Sequence, residues 1–162
     1  MQGYNELIMR TAYALVVVPL LSFAAWPAIA QETSVTIEDR DLKKLQPVIS
    51  SAVISNPSFS DYSNFRCSLI GKKISLSKSI MTFFVTTENA CGWGAALGPM
   101  WIVESKANGN AMVILNYGGY SLEARPSYSN GMPEIEIRSG TAATYQMNKF
   151  YYDGRYYRLT PP

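Results

Sequence analysis

The stretch FYYDGRYY at residues 150–157 decides the fold that the sequence predicts. Two aromatic runs of high β-propensity flank Asp153-Gly154. An Asp-Gly pair between such runs is typical of a type I′ β-hairpin, because both central residues need a positive φ. We therefore predict a hairpin here. Since side chains alternate between the two faces of a strand, at most about half of its tyrosines can share one exposed surface.

Upstream of this hairpin, short β-prone runs alternate with turn residues. The predicted strands are residues 65–70, 80–87, 100–104, 111–117, 120–124, 134–138, 144–152 and 155–159. Runs at this spacing, broken by Gly, Pro and Asn-Gly, favour antiparallel meanders. A second tight hairpin is predicted at Gly118-Gly119. The expected architecture is a mainly antiparallel sheet or small barrel of about 6–8 short strands.

A helix is expected before the strands. Apolar residues recur at helical spacing over residues 37–53, with Thr36 and Asp39 placed as a capping pair. Pro47 lies inside this pattern and predicts a kink or a split, because proline lacks an N–H. The charges at residues 38–44 are assigned to the exposed face of the helix. The predicted fold class is α+β, with this N-terminal helix packed on the sheet.

Residues 1–30 have the pattern of a cleaved secretory signal. An apolar run at residues 11–26 is followed by small residues, with Ala28 and Ala30 at the two positions that a signal peptidase reads. A start at Met9 would place Met-Arg directly before the apolar run. We therefore expect Met9 to be the biological start and cleavage to follow Ala30.

Cleavage would leave residues 31–162 as a single periplasmic or secreted domain, with no membrane span. The alternative is a retained anchor. A spanning helix needs about 20 apolar residues, and this one would have to tolerate Pro19 and Pro27. The formal net charge of +2 gives no sign of the basic stripe that nucleic-acid binding requires.

The chain contains two cysteines, Cys67 and Cys91, and no histidine. In an oxidising compartment two thiols in one small domain most often pair, so a disulfide is predicted. The less favoured alternative is a redox or metal site, which the spacing and the missing histidine argue against. Without histidine, Ser-His-Asp and Cys-His catalysis are excluded. We expect no cofactor and no metal.

The last eighteen residues contain five tyrosines together with several basic residues. Tyrosine and arginine on a rigid hairpin are typical of binding hot spots. The glycine-rich loop at residues 91–101 adds a tryptophan beside the predicted disulfide. The alternative is structural, with tyrosines in cross-strand pairs and a stiff loop. The predicted contact residues are Tyr145, Tyr152, Arg155, Tyr157 and Trp93.

Carboxylates offer a catalytic alternative, since glycan-active enzymes can work with two of them. Asp61, Glu104 and Glu134 are the candidates. Glu134 and Glu136 share one strand face, which is typical of a solvent-exposed face. A serine-lysine site is not predicted.

The second half of the chain resembles a loose group of small exported bacterial proteins. The resemblance covers residues 91–159 and implies a periplasmic β-rich domain, without implying an activity. The matching motifs are Cys91-Gly92, Trp101-Ile102-Val103, Gly118-Gly119-Tyr120, Asn130-Gly131, Glu134-Ile135 and Tyr152-Asp153-Gly154-Arg155-Tyr156-Tyr157.

The segment that begins at Ser139-Gly140 resembles the S-G-x-x-Y loop of periplasmic lysozyme inhibitors, which are small disulfide-bonded β-barrels. Here the tyrosine, Tyr145, comes two positions later. The sequence predicts an exported binding module that contacts an envelope protein or a cell-wall component, as an inhibitor or immunity protein would. The alternatives are a carboxylate-dependent envelope enzyme acting on glycan or peptide, and a structural envelope protein.

Overall fold

A computed structural model describes residues 33–94, 97–140 and 143–161. The predicted signal, the start at Met9 and the cleavage after Ala30 lie outside the described residues. Within the described ranges no helix is long and apolar enough to cross a membrane.

The described strands form two five-stranded antiparallel sheets. Sheet A has the order β1-β7-β8-β9-β10, and sheet B the order β2-β3-β4-β5-β6. The strands are β1 Ser34–Thr36, β2 Lys43–Lys44, β3 Leu69–Ile74, β4 Met81–Thr87, β5 Gly98–Ser105, β6 Ala111–Gly119, β7 Ser121–Ser129, β8 Met132–Ser139, β9 Gln146–Tyr152 and β10 Tyr157–Leu159. The predicted antiparallel pairing is confirmed. The strands exceed the predicted number because β2 forms within the segment expected to be helical and β1 forms just before it.

Two short α-helices accompany the sheets, α1 Pro47–Ile54 and α2 Ser60–Ser63. The predicted helix is present only over its second part, as α1; residues 37–46 form a turn and β2 instead, so there is no kink at Pro47. Pro47 is the first residue of α1, where its missing N–H breaks no helical hydrogen bond. The described chain is therefore mostly antiparallel sheet with little helix.

The residues predicted to cap that helix stabilise a turn after β1 instead. Thr36 Oγ1 donates to Asp39 Oδ1 at 2.7 Å. Asp39 also pairs with Lys72 of β3, with Nζ and Oδ2 2.7 Å apart. The charges at residues 38–41 thus lie on a turn held against sheet B and those of Lys43 and Lys44 on β2, and not on the exposed face of a helix.

Buried side chains form two clusters, one on each side of sheet B. On β5, Met100 and Ile102 belong to the cluster between the sheets, whereas Trp101 and Val103 belong to the cluster under the helices. Both faces of β5 are therefore buried, which explains its continuous apolar sequence. The first cluster includes Val35, Phe84, Leu122, Ile135, Ile137 and Phe150, and the second Ile49, Val53, Phe59 and Val85.

The chain passes from sheet B to sheet A at the end of β6, so the hairpin predicted at Gly118-Gly119 is wrong. A Cβ on Gly119 would lie 2.5 Å from Ile137 Cγ2 and 3.0 Å from Arg138 O. The Tyr120 amide donates to Arg138 O at 2.8 Å. Glycine permits this close approach. We call this part of the molecule the corner end.

The hairpin between β9 and β10 is confirmed, with its turn one residue later than predicted. Of the two expected central residues, Gly154 alone has a positive φ, 99°. The Asp153 amide donates to Tyr156 O at 2.9 Å, which centres the turn on Gly154 and Arg155. The pattern of two positive φ values occurs instead in the β7–β8 turn, at Asn130-Gly131 with 48° and 80°.

The predicted disulfide is confirmed. Cys67 and Cys91 are bonded, with their Cα atoms 5.5 Å apart. Cys67 precedes β3 and Cys91 follows β4, and the Glu88 amide donates to Ser68 O at 2.9 Å between the same segments. The bond therefore joins the two free ends of the β3–β4 hairpin.

Candidate functional site

Three hairpin turns meet at the end of the molecule opposite the corner end. They are the β5–β6 turn at residues 106–110, the β7–β8 turn at residues 130–131 and the β9–β10 turn at residues 153–156. We call this the loop end. Residues from all three turns line one cleft of about 510 Å³, the loop-end cleft, whose walls are Ile80, Glu104, Lys106, Met112, Asn130, Tyr152, Gly154 and Arg155. Loops held by a rigid scaffold are common places for function.

A second cleft, of about 500 Å³, lies between α1 and β6. We call it the helix cleft. Met112 lines both clefts, while Arg155 lines the first and Tyr156 the second. The β9–β10 turn therefore stands between them. The helix cleft has mixed walls that include Val48, Ser51, Ser55, Asn56, Asn110 and Tyr156.

Tyr156 is flanked by two cations. The guanidinium carbons of Arg155 and Arg158 lie 5.2 and 5.3 Å from the centroid of its ring. Both distances are within the range of a cation–π contact. Tyr156 is partly exposed and the two arginines are exposed, so the three side chains present one surface at the loop end.

Asp153 organises this turn. Its Oδ1 accepts from the amides of Arg155 at 2.8 Å and Tyr156 at 2.7 Å, and its Oδ2 accepts from Arg158 Nε at 2.7 Å. The Tyr156 amide, the Arg158 side chain and the Arg155 amide all favour the ionised carboxylate. They lower the pKa of Asp153 from the usual 3.8 to about 2.

A pH titration followed by carboxyl NMR is expected to show a midpoint of about 2 for Asp153. Because this folded-state pKa lies below the usual value, the carboxylate stabilises the fold above about pH 4. That contribution is lost as the pH falls through the folded-state pKa. Arg158→Gln removes one donor and should raise the midpoint. An unchanged midpoint in this variant, or one near 3.8 in the parent chain, would contradict the described turn.

Two of the predicted contact residues, Tyr152 and Tyr157, lie in the core between the sheets. They are 4% and 6% exposed, and their ring centroids are 5.3 Å apart. Tyr157 Oη donates to Pro133 O at 2.9 Å, and burial raises the pKa of both phenols. These rings contribute to packing, although Tyr152 also reaches the wall of the loop-end cleft. Their neighbours Tyr151 and Tyr156 face outward instead.

Two further predicted residues, Trp93 and Tyr145, lie at the corner end. Trp93 is half-buried, and its Nε1 donates to Thr87 Oγ1 at 2.8 Å. Its indole packs against Gly98, the first residue of β5. Tyr145 is 58% exposed and precedes β9. The structure therefore does not bring the five predicted residues together, and of these five only Arg155 is exposed at the loop end.

The residues that the sequence did not identify are Tyr156, Lys106 and Met112. Strand alternation separates Tyr156 from Tyr157 but does not show which of the two faces is buried, so the sequence did not identify Tyr156. Lys106 and Met112 flank the β5–β6 turn, which belongs to sheet B. No sequence signal links that turn to the β9–β10 turn of sheet A.

The candidate carboxylates lie apart. Glu104 lines the loop-end cleft, whereas Glu134 lines a separate cleft of about 210 Å³ and accepts from Ser127 Oγ at 2.7 Å. Asp61 lies on α2 and lines neither cleft. These three carboxylates therefore do not meet in a catalytic pair. Across the described ranges no three Cys, Asp or Glu side chains are grouped as metal ligands.

Comparison with known proteins gives no relative: no family model, curated protein or solved structure matches the chain. The resemblances to small exported bacterial proteins and to periplasmic lysozyme inhibitors therefore stay predictions.

Proposed function

We propose that the chain is an exported binding module that contacts an envelope protein or a cell-wall component through its loop end. The observation that carries this proposal is the position of Tyr156, which lies between Arg155 and Arg158 and beside two clefts of about 500 and 510 Å³. Tyrosine and arginine are enriched at binding hot spots, and pockets of this size hold small groups or side chains.

Pre-organisation of the turn supports the same proposal. Asp153 fixes the backbone of Arg155 and Tyr156, and it also holds the Arg158 side chain. A surface that is already ordered before binding loses less conformational entropy when the partner arrives. The β9–β10 turn is thus suited to contact a partner without rearrangement.

The proposed location is the periplasm or the cell exterior. The disulfide between Cys67 and Cys91 fits an oxidising compartment. The signal pattern of residues 1–30, with its start at Met9 and its cleavage site after Ala30, supports the same compartment. A partner of the exported module is then an envelope protein or a cell-wall component.

Capture from envelope extracts tests this function. The tagged full chain should retain an envelope component, and Tyr156→Ala should weaken that retention by at least about tenfold, because it removes the ring at the centre of the surface. Tyr145→Ala is the matched control, since it removes an exposed tyrosine at the corner end. Thermal unfolding of both variants verifies that each is folded.

Three results would contradict the proposed function. The parent chain could retain no envelope component. Tyr156→Ala could bind as the parent does. Tyr145→Ala could lose retention as strongly as Tyr156→Ala, which would place the contact surface away from the loop end.

A further inference from the structure

The loop-end cleft carries charges of both signs. Glu104 belongs to β5, Lys106 to the β5–β6 turn and Arg155 to the β9–β10 turn. None of the three forms an ion pair with another residue in the described part of the chain. By contrast, Asp153 and Arg158 nearby pair with each other at 2.7 Å. The charges of the cleft are therefore available to a ligand.

The negative side of the cleft is formed by Glu104 and Tyr152. Glu104 is half-buried on β5, where it lies opposite Thr82 of β4 and Met112 of β6. Tyr152 lines the same cleft as Glu104, and burial, followed by the charges of Glu104 and Asp153, raises the pKa of its phenol. A carboxylate beside a neutral phenol offers oxygen acceptors to an ammonium group.

The positive side is formed by Lys106 and Arg155, which are both exposed and come from turns of different sheets. Ammonium and guanidinium groups that flank one opening suit a carboxylate, because charge-assisted hydrogen bonds are the strongest neutral-pH contacts available to it. Ile80 and Met112 supply apolar contact between the two sides.

The walls of the cleft are fixed by hydrogen bonds between turns. Asn130 Nδ2 donates to Tyr152 O at 2.8 Å, and the Tyr152 amide donates to Ser129 Oγ at 2.8 Å. These bonds tie the β7–β8 turn to β9. The volume of about 510 Å³ lies within the range of small-ligand sites.

We infer that the loop-end cleft binds a short zwitterionic peptide, with the free carboxylate of the peptide between Lys106 and Arg155 and its free amine at Glu104. This inference rests on the proposed function and names the ligand class of the same site. A purely anionic ligand would be repelled by the carboxylate of Glu104. An uncharged sugar could hydrogen-bond to these groups but would neutralise neither charge, whereas a zwitterion neutralises both.

Titration of the purified full chain with four small probes tests the inference by NMR. The probes are the dipeptide alanyl-alanine, its N-acetyl form, its C-terminal amide and the form blocked at both ends. We expect the free dipeptide to shift the amides of residues 104, 106 and 155. Each singly blocked form should bind at least about tenfold more weakly, because it lacks one charge-assisted contact.

Variants should show mirrored effects. Glu104→Gln should weaken binding of the C-terminal amide, which keeps its free amine, and should leave binding of the N-acetyl form unchanged. Arg155→Gln should weaken binding of the N-acetyl form, which keeps its free carboxylate, and should leave binding of the C-terminal amide unchanged. Glu134→Gln and Arg40→Gln are the matched controls, since each neutralises a charge outside this cleft and should change neither affinity.

Several outcomes would overturn the inference: no binding of the free dipeptide, equal binding of the doubly blocked form, or shifts centred near Tyr145. If the probes fail while retention of an envelope component still depends on Tyr156, the zwitterionic ligand is wrong and the proposed function stands. If the probes bind with the mirrored pattern but Tyr156→Ala leaves retention unchanged, the cleft assignment stands and the proposed function is wrong.

Discussion

Replacement of Trp101 with alanine is expected to lower the free energy of unfolding by about 3–5 kcal/mol. Trp101 is 1% exposed and belongs to the cluster between sheet B and the helices. Its ring lies 6.0 Å from that of Phe59 and 5.6 Å from that of Tyr62, measured between centroids. Alanine would leave a cavity among these rings, and β5 would lose its ring contacts with Phe59 and Tyr62.

A hydrogen bond adds to this packing. Trp101 Nε1 donates to Ser58 Oγ at 2.8 Å, and Ser58 Oγ donates to Asn56 Oδ1 at 2.7 Å. Trp101→Phe keeps much of the ring contact but removes the donor, so it should destabilise by about 1–3 kcal/mol. Chemical denaturation with the disulfide intact measures both values. A loss below about 1 kcal/mol for Trp101→Ala would contradict its place in the core.

Removal of the disulfide is expected to lower the free energy of unfolding by about 3 kcal/mol. The bonded cysteines are 24 positions apart, so the bond restricts a loop of that length in the unfolded chain. The folded chain keeps the β3–β4 pairing from Leu69 to Ile74 without the bond. The variant should therefore fold, but with a lower unfolding midpoint.

The measurement compares urea unfolding of the oxidised parent with that of the double variant Cys67→Ser, Cys91→Ser. The parent chain under reducing conditions should match the double variant, which separates the bond from the serine substitutions. Equal stability of the oxidised and reduced parent would show that the bond does not constrain the unfolded chain as expected.

The sequence predicted those parts of the fold that depend on local patterns. Apolar and β-branched runs with glycine between them located strands β3 to β10, with ends that lie up to five residues from the observed ones. The same reasoning failed over residues 37–46. Their apolar residues recur at helical spacing, but the chain there forms a turn and β2. Pro47 was the better guide, because proline fits the first position of a helix and not its interior.

The crossing from β6 to β7 could not be predicted from local pattern. Two runs separated by glycines look like a hairpin, yet they belong to different sheets. The crossing differs from a hairpin because Gly119 packs against Ile137 and Arg138, which are distant from it in sequence. Contacts of that range carry no signature in a single sequence.

The site was mispredicted because the sequence does not show which face of β9 and β10 is buried. A turn centred on Asp153 and Gly154 would pair Tyr152 with Arg155. The observed turn pairs Tyr152 with Tyr157 and places both rings in the core. Tyr152 and Tyr157 share a strand face with either turn position, because the cross-strand partners shift by two residues. The sequence did not show that this face, with Phe150, packs in the core.

Photocrosslinking in cells tests most directly whether the loop end is the contact surface. A photoreactive side chain is placed at Ala107, in the β5–β6 turn, or at Ala143, near the corner end, since both alanines are exposed. If the loop end is the contact surface, crosslinks to an envelope component are expected from position 107 and none from position 143. Crosslinks from position 143 with none from position 107 would contradict it.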